Sequence, residues 1–409
     1  MLRKIWQKLN KASNSKLYVF LRFCVRIFVT NLAYILWILE PLIKIRIYRG
    51  EIGRIGHLAS FFEVLIRSKE VDLNNKKQFN YFIVPNNPAN KTLYKMWKRH
   101  LNFIESSKLD FIYHLCAPWL ARRKHFGPLT VQQGGMPIKK PTLKFSKEDH
   151  STGINYLKEM KVIKNDWFVC LHSRSSVYLK KRFKDKDYSF HDIRDSSFQM
   201  LLESAKFIVN KGGKCVKMSN GDNEKLNDKF SKYIIDYSYY KQNDFMDIYL
   251  PANCKFFLGG PSGLLSVSHL FNTPVACTNI WPVSTVSIPS NGLFIPKLLW
   301  LLDEKRFISY KEIKENKLDN IKTARELLNK GIRVIENDND DIKLLTLDMF
   351  DLINNNKLSK NELSIRNKFM NNYFKVNKFE NKYNIGEGLK NSGNISWRFL
   401  NKHSYLMNS

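Results

Sequence analysis

The chain is short of acid. Only 37 Asp and Glu stand against 67 Lys and Arg, for a formal net charge of +30, so the partners to consider are polyanions: nucleic acid, acidic lipid headgroups or a phosphorylated ligand. Part of that excess is solvated surface, because Lys and Asn crowd the linkers and the segment from Asn316 onward. Paired cysteines are missing as well. Cys24, Cys116, Cys170, Cys215, Cys254 and Cys277 lie far apart and form no C-x-x-C, which excludes a zinc ribbon or a dithiol redox motif and fits a reducing compartment. No RNP, helix-turn-helix or zinc-finger pattern occurs, and the aromatics lie inside apolar runs rather than between charges. A basic nucleic-acid-binding protein is therefore the weaker reading, and no nucleic-acid partner is expected.

A long uncharged apolar run is also lacking. Residues 17–39 are apolar and aromatic apart from Arg22, Arg26 and a few polar side chains, and only residues 27–39 are free of charge. A spanning helix needs about 20 apolar residues; a shorter run flanked by Arg3, Lys4, Lys8, Lys11, Lys16, Arg22 and Arg26 suits a helix lying in a membrane interface. Arg22 and Arg26, one turn apart, would face phosphate headgroups while Phe20, Phe23, Ile27 and Trp37 enter the acyl boundary. The alternatives are a buried helix of the first domain and a tilted single span. No small-residue cleavage site follows, which argues against a removed signal peptide. Residues 1–40 are thus expected to dock, as a peripheral or monotopic segment, on the anionic cytoplasmic face of an inner membrane.

At 409 residues the chain can build more than one core, since domains run to about 100–200 residues. In the part expected as a first domain, 41–150, Ile43, Ile45 and Ile47 alternate as in a strand, and a glycine loop follows. Next come a helix over 58–66 and strands at 81–84 and 111–114. In a second domain, 151–302, short apolar strands at 167–171, 214–218, 233–235, 254–258 and 274–277 alternate with helices near 198–209, 244–250 and 262–271. That rhythm predicts an α/β fold with a parallel, doubly wound sheet, whose ligands bind at the carboxyl ends of the strands. An extension, 303–409, carries a strand at 332–335, a helix over 340–353 and a basic, loosely ordered tail.

The strand ends carry anion-suited groups. His172-Ser-Arg174 follows the first strand, and the guanidinium of Arg174 can grip a diphosphate, or else pair with Asp192 or Asp195. Further along, His191-Asp-Ile-Arg194-Asp195 precedes a helix that Asp195 would cap. Ser219-Asn-Gly221-Asp222 ends the next strand. Gly259-Gly260-Pro-Ser262-Gly263 opens directly into a helix, whose free N–H groups and positive dipole end can hold a phosphate, with Ser262 adding a hydroxyl or serving only as the cap.

In the first domain, Gly53-Arg54-Ile-Gly56 is not a complete G-x-G-x-x-G and has no acidic partner at the expected distance, so a dinucleotide site is weakly supported. His57, at the entry to the helix, is a candidate general base, with a structural histidine as the alternative. Glu63 is a second candidate if it faces a cleft. Asp185-Lys-Asp187 resembles a metal-binding D-x-D but lies in a Lys-rich loop with no preceding strand.

Four pieces in order, Gly53-Arg-Ile-Gly-His-Leu58, Leu171-His-Ser-Arg174 with Tyr178, His191-Asp-Ile-Arg-Asp195, and Gly260-Pro-Ser-Gly263 before Asn272-Thr-Pro-Val275, resemble a family of bacterial surface-carbohydrate glycosyltransferases. The second half is similar to the fucosyltransferase-like branch of GT-B enzymes, over about residues 46–302. Ser175-Ser-Val177, where that branch continues with further Arg or Asp, departs from it. The resemblance implies a GT-B architecture of two Rossmann-like domains facing a cleft. Acceptor would bind the first domain through Gly53, Arg54, Gly56 and His57, and nucleotide-sugar the second through His172, Arg174, Arg194, Ser219, Gly221, Gly260, Ser262 and Gly263. Catalysis would fall to His57, Arg174 and, as alternative base, Glu63. The expected activity is an inverting hexosyl or fucosyl transfer to a membrane-linked or surface-polysaccharide acceptor such as lipopolysaccharide, with no cofactor and no metal. A noncatalytic membrane-associated scaffold is the alternative of another class.

Overall fold

The structure, a computed structural model, describes residues 16–120, 125–127, 140–177, 189–218, 226, 231–282, 288–373 and 393–407. The chain divides into two compact units, Met1–Val131 and Gln132–Ser409.

The first unit is built on three parallel strands in the order β1 (Lys44–Arg49), β2 (Gln78–Val84), β3 (Asn102–Glu105). Phe126 bridges in parallel to Ile47 on the free side of β1, so β1 has neighbours on both sides. Alternation along the strands decides which face each side chain serves. Tyr48, Phe82 and Val84 face α2 (Ile55–Arg67) and α3 (Lys91–Lys98), where Phe62 meets Phe82 edge-on at 5.1 Å and Trp97 Nε1 donates to Leu58 O at 2.9 Å. Ile45, Ile47 and Ile83 face α1 (Lys16–Leu39) and α4 (Ser107–Leu120).

Two expectations change here. Residues 111–114 are helical, because Tyr113, Cys116 and Leu120 recur at helical spacing and close onto Val29, Ala33 and Leu36 of α1. Helix α1 is neither wholly buried nor free: the single stripe Val25, Val29, Leu32, Ala33 and Leu36 packs inward, and the rest faces out.

The second unit carries a seven-stranded parallel sheet in the order β13-β9-β8-β7-β4-β5-β6. Its strands are β4 (Phe168–His172), β5 (Lys214–Lys217), β6 (Ile234–Asp236), β7 (Phe257–Gly259), β8 (Val275–Ile280), β9 (Leu293–Pro296) and β13 (Asn394–Ile395). Every residue of β4, β7, β8 and β9 is buried, as a parallel sheet covered on both faces requires. Among the covering helices are α5 (Lys147–Glu159), α6 (Leu202–Asn210), α7 (Met246–Asn253), α8 (Gly263–Leu270) and α11 (Asn339–Ile353). A separate antiparallel sheet orders β11 (Arg306–Phe307), β10 (Leu298–Leu301) and β12 (Ile332–Ile335), with α9 (Tyr310–Glu315) and α10 (Ala324–Leu328) nearby in sequence.

The segment after Leu302 is therefore part of this unit and not an appendage. From α12 (Lys360–Tyr373) and α13 (Trp397–Lys402), Phe369, Phe399 and Leu400 reach the core, and Ile395 adds β13 to the main sheet. Its polar composition hides this, because its few apolar residues are locked by buried polar bonds: Ser396 Oγ donates to Asp348 at 2.6 Å, and Asp341 bonds His403 Nε2 at 2.7 Å and Lys402 at 2.8 Å.

Candidate functional site

In the seven-stranded sheet the chain starts at β4, runs outward through β5 to β6, then returns to the other side of β4 for β7, β8 and β9. The order reverses between β4 and β7, and a crevice opens there at the carboxyl ends because the connections leave in opposite directions. The two ends approach closely. A Cβ on Gly259 would lie 2.0 Å from His172 O, so only glycine fits, and Gly260 N donates to the same carbonyl at 3.3 Å.

Beyond that junction, the Arg174 guanidinium pairs with the Asp195 carboxylate. The same carboxylate accepts Ser176 N at 2.9 Å, and Ser196 N donates to Arg174 O at 3.1 Å, so residues 195–196 clasp the chain leaving β4. Lys297, first after β9, is only 4% exposed and donates from Nζ to Asp195 O at 2.8 Å. Burial holds its pKa below the usual lysine range despite the charges of Glu336 and Asp195, with Arg174 pressing the same way as burial. Burial also lifts the Asp195 pKa, against the pull of Arg174 and the Ser176 N–H. The result is a largely buried pair of cations gathered around one aspartate, Arg174 on its carboxylate and Lys297 on its backbone carbonyl, an arrangement that an incoming phosphate would stabilise.

The turn after β7 completes the set. Ser262 caps α8, its Oγ accepting Leu265 N at 3.3 Å, and Gly260 lies beside Ser196 and the carbonyl of Arg194. A clasp fixes the far side. Asn279, in the left-handed region at φ +55°, accepts Asn337 N at 2.9 Å and donates its own N–H to Asn337 Oδ1 at 2.7 Å, while Asn337 Nδ2 donates to Pro296 O at 2.8 Å. Ser197 N donates to Glu336 at 3.0 Å. The strand that precedes Lys297 is thus pinned to the segment after β12.

Of the sequence-derived donor set, Arg174, Arg194, Gly260, Ser262 and Gly263 come to this crevice. His172 does not present a ligand surface. It is 5% exposed, against Phe257, and burial and the Arg174 charge push its pKa down to about 4, so it is a neutral imidazole beneath the site. Ser219 and Gly221 lie outside the described residues, as do Tyr178 and Asp185-Lys-Asp187. Among the described residues no cluster of His, Cys, Asp and Glu has metal-ligand geometry.

At the carboxyl end of β1, Gly53 has open space around it, Arg54 stands just before α2, and Gly56 O accepts Ser60 Oγ at 2.7 Å. His57 Nδ1 pairs with Glu51, while Arg49 reaches the other Glu51 oxygen at 3.3 Å. Burial would raise the Glu51 pKa, but the His57 hydrogen bond and the charges of His57, Arg49 and Arg54 bring it below the usual range. A carboxylate on Nδ1 orients the imidazole and leaves Nε2 to take a proton. Glu63 is no base: it is fully buried and bonded to Arg67 Nε at 2.7 Å within α2.

Sequence reasoning missed Lys297, Glu51 and the Asn279–Asn337 clasp. The signal for Lys297 was a lysine directly after the apolar run 293–296; for Glu51 it was an acid ahead of the glycine loop.

No family model and no curated protein matches the chain. Among solved structures it is similar to the Escherichia coli ADP-heptose lipopolysaccharide heptosyltransferase II, at 14% identity and TM-score 0.39, over 62% of this chain and 90% of that one. A family 9 glycosyltransferase from Veillonella parvula has 10% identity and TM-score 0.41, over 75% and 98%. Escherichia coli heptosyltransferase WaaC with ADP has 8% identity and TM-score 0.31, over 68% and 98%. All three likenesses are remote.

Proposed function

We propose that the protein is a glycosyltransferase that takes a sugar from a nucleoside-diphosphate donor and passes it to a membrane-linked or surface-polysaccharide acceptor. The observation that carries this is the meeting of Arg174, Lys297 and the Gly260–Gly263 turn where the strand order of a parallel sheet reverses between two fully buried strands. Such a crevice suits an anionic, nucleotide-like ligand.

In this reading the guanidinium of Arg174 and the ammonium of Lys297 face the donor diphosphate, with the α8 N-terminus beside them. As the acceptor oxygen bonds to the anomeric carbon, the hydroxyl proton passes to a general base, a role that His57 Nε2 suits. The bond from that carbon to the phosphate oxygen breaks, and its electron pair leaves with the nucleoside diphosphate, inverting the centre. Side-chain cations and a helix dipole neutralise the charge that grows on the leaving group, a role that a metal ion fills elsewhere. The Glu51 carboxylate steadies the imidazolium formed on His57. Nucleotide release from a panel of ADP-, UDP-, GDP- and CMP-sugars tests the reading: release from one class supports it, and none from any class contradicts it.

A further inference from the structure

Helix α1 presents far more apolar surface than its packing uses. Its inward stripe covers the first unit's sheet, while outside that stripe Phe28 is 66% exposed, Phe20 61%, Tyr34 61%, Phe23 58% and Trp37 56%. Patches of this kind in water mark an interface. Beside them, a groove of about 550 Å³ opens between α1 and α4, lined by Phe23, Arg26, Ile27, Thr30, Asn31 and Trp119. The Arg26 guanidinium lies over the Trp119 ring at 5.7 Å and has no carboxylate partner among the described residues.

We infer that this groove and the outward face of α1 form a lipid-binding site, in which an anionic phospholipid places its phosphate on Arg26 and its acyl chains against Phe23 and Ile27. Three observations select lipid as the occupant. No acid occurs before Glu40, whereas Arg3, Lys4, Lys8, Lys11, Lys16, Arg22 and Arg26 do, so the segment complements an anionic surface. The same composition opposes a second copy, because two such faces would bring like charges together. Finally, Tyr34, Trp37 and Trp119 are the ring types that settle at the level of headgroups, where an apolar body and a polar edge are both satisfied. No described helix is long and apolar enough to cross a membrane, so α1, roughly 36 Å long at ~1.5 Å per residue, would lie in the interface plane. The inference does not depend on the transferase reading.

The test is cosedimentation of the full chain with phosphatidylcholine vesicles, with and without phosphatidylglycerol, alongside sedimentation velocity without vesicles. Wild type should pellet with the anionic vesicles, lose much of that binding at high salt, and bind neutral vesicles weakly. Arg26→Gln should lower the partition coefficient about fivefold, the effect of one basic group at an anionic surface, and Phe20→Ser with Phe28→Ser should lower it about tenfold or more. All three changed groups are solvent-facing, so the melting temperature should hold. Inorganic phosphate at matched ionic strength should not release the vesicles. Equal binding to neutral and anionic vesicles, release by phosphate, no vesicle binding by wild type, or a vesicle-free dimer that Phe20→Ser with Phe28→Ser dissolves would each overturn the inference.

Discussion

Lys297 and Asp195 are joined through the backbone: the lysine ammonium donates to the aspartate's carbonyl at 2.8 Å, while the aspartate's carboxylate holds Arg174. One residue thereby anchors both cations of the crevice. If those cations receive the donor phosphates, Lys297→Met should weaken nucleoside-diphosphate binding about tenfold to a hundredfold, the usual worth of a charge-assisted hydrogen bond. Fold stability should hold or rise, since a buried ammonium with one protein bond is replaced by an apolar chain. Calorimetric titration and a thermal melt, run side by side, check both halves.

His172 makes the stability pH-dependent in a definite direction. Its folded pKa lies near 4 against an ordinary 6.5, so between those values the unfolded chain binds a proton that the native state refuses. Stability from this group is complete above pH 6.5 and is lost as pH falls toward 4, at up to about 1.4 kcal/mol per pH unit. Urea denaturation at pH 7 and pH 5 should show that loss in wild type and a flatter response in His172→Phe, which fits the apolar surroundings.

The Asn279–Asn337 clasp should matter for both fold and site. Asn337→Ala would leave Asn279 N and Pro296 O buried without their partner, at a cost of about 2–4 kcal/mol. It would also release the strand end that carries Lys297, so donor binding should fall in the surviving folded fraction. Denaturation midpoints with ligand titration at low temperature separate the two effects.

At the β1 end, His57→Asn should lower kcat about a hundredfold to ten-thousandfold while leaving donor affinity unchanged, as for the loss of a general base. Glu51→Gln should cost less, because Glu51 orients the ring and steadies its charge but does not itself take the proton. Glu63→Gln should instead destabilise the fold, by about 1–3 kcal/mol, since it replaces the buried carboxylate that Arg67 Nε bonds with a neutral amide. Steady-state kinetics paired with chemical denaturation distinguish these outcomes.

The alternation of strands and helices in the second half was legible because fully buried parallel strands leave unbroken apolar runs, as at 168–171 and 275–277. The turn after β7 was legible because glycines beside a cap residue mark a strand-to-helix junction. What local pattern cannot show is who arrives from afar. Lys297 reads as one more lysine in a lysine-rich chain until β9 sets it beside Asp195, about a hundred residues earlier in the chain. Residues 111–114 alternate over so few positions that strand and helix look alike until Tyr113, Cys116 and Leu120 meet α1. The end of the chain read as loose tail because Ile395 and Phe399 are sparse among polar residues, and the bonds that bury them span some fifty residues or more.

The central claim is that the crevice between β4 and β7 binds a nucleotide diphosphate through Arg174 and Lys297. Its most direct test is calorimetric titration of the full chain with ADP, UDP, GDP and CDP, repeated with Arg174→Ala, Lys297→Met and the exposed control Lys158→Ala. The account predicts saturable binding of at least one nucleotide, lost or weakened at least tenfold in the first two variants and unchanged in the control. Binding that all three variants retain equally, or no binding to wild type at all, would contradict it.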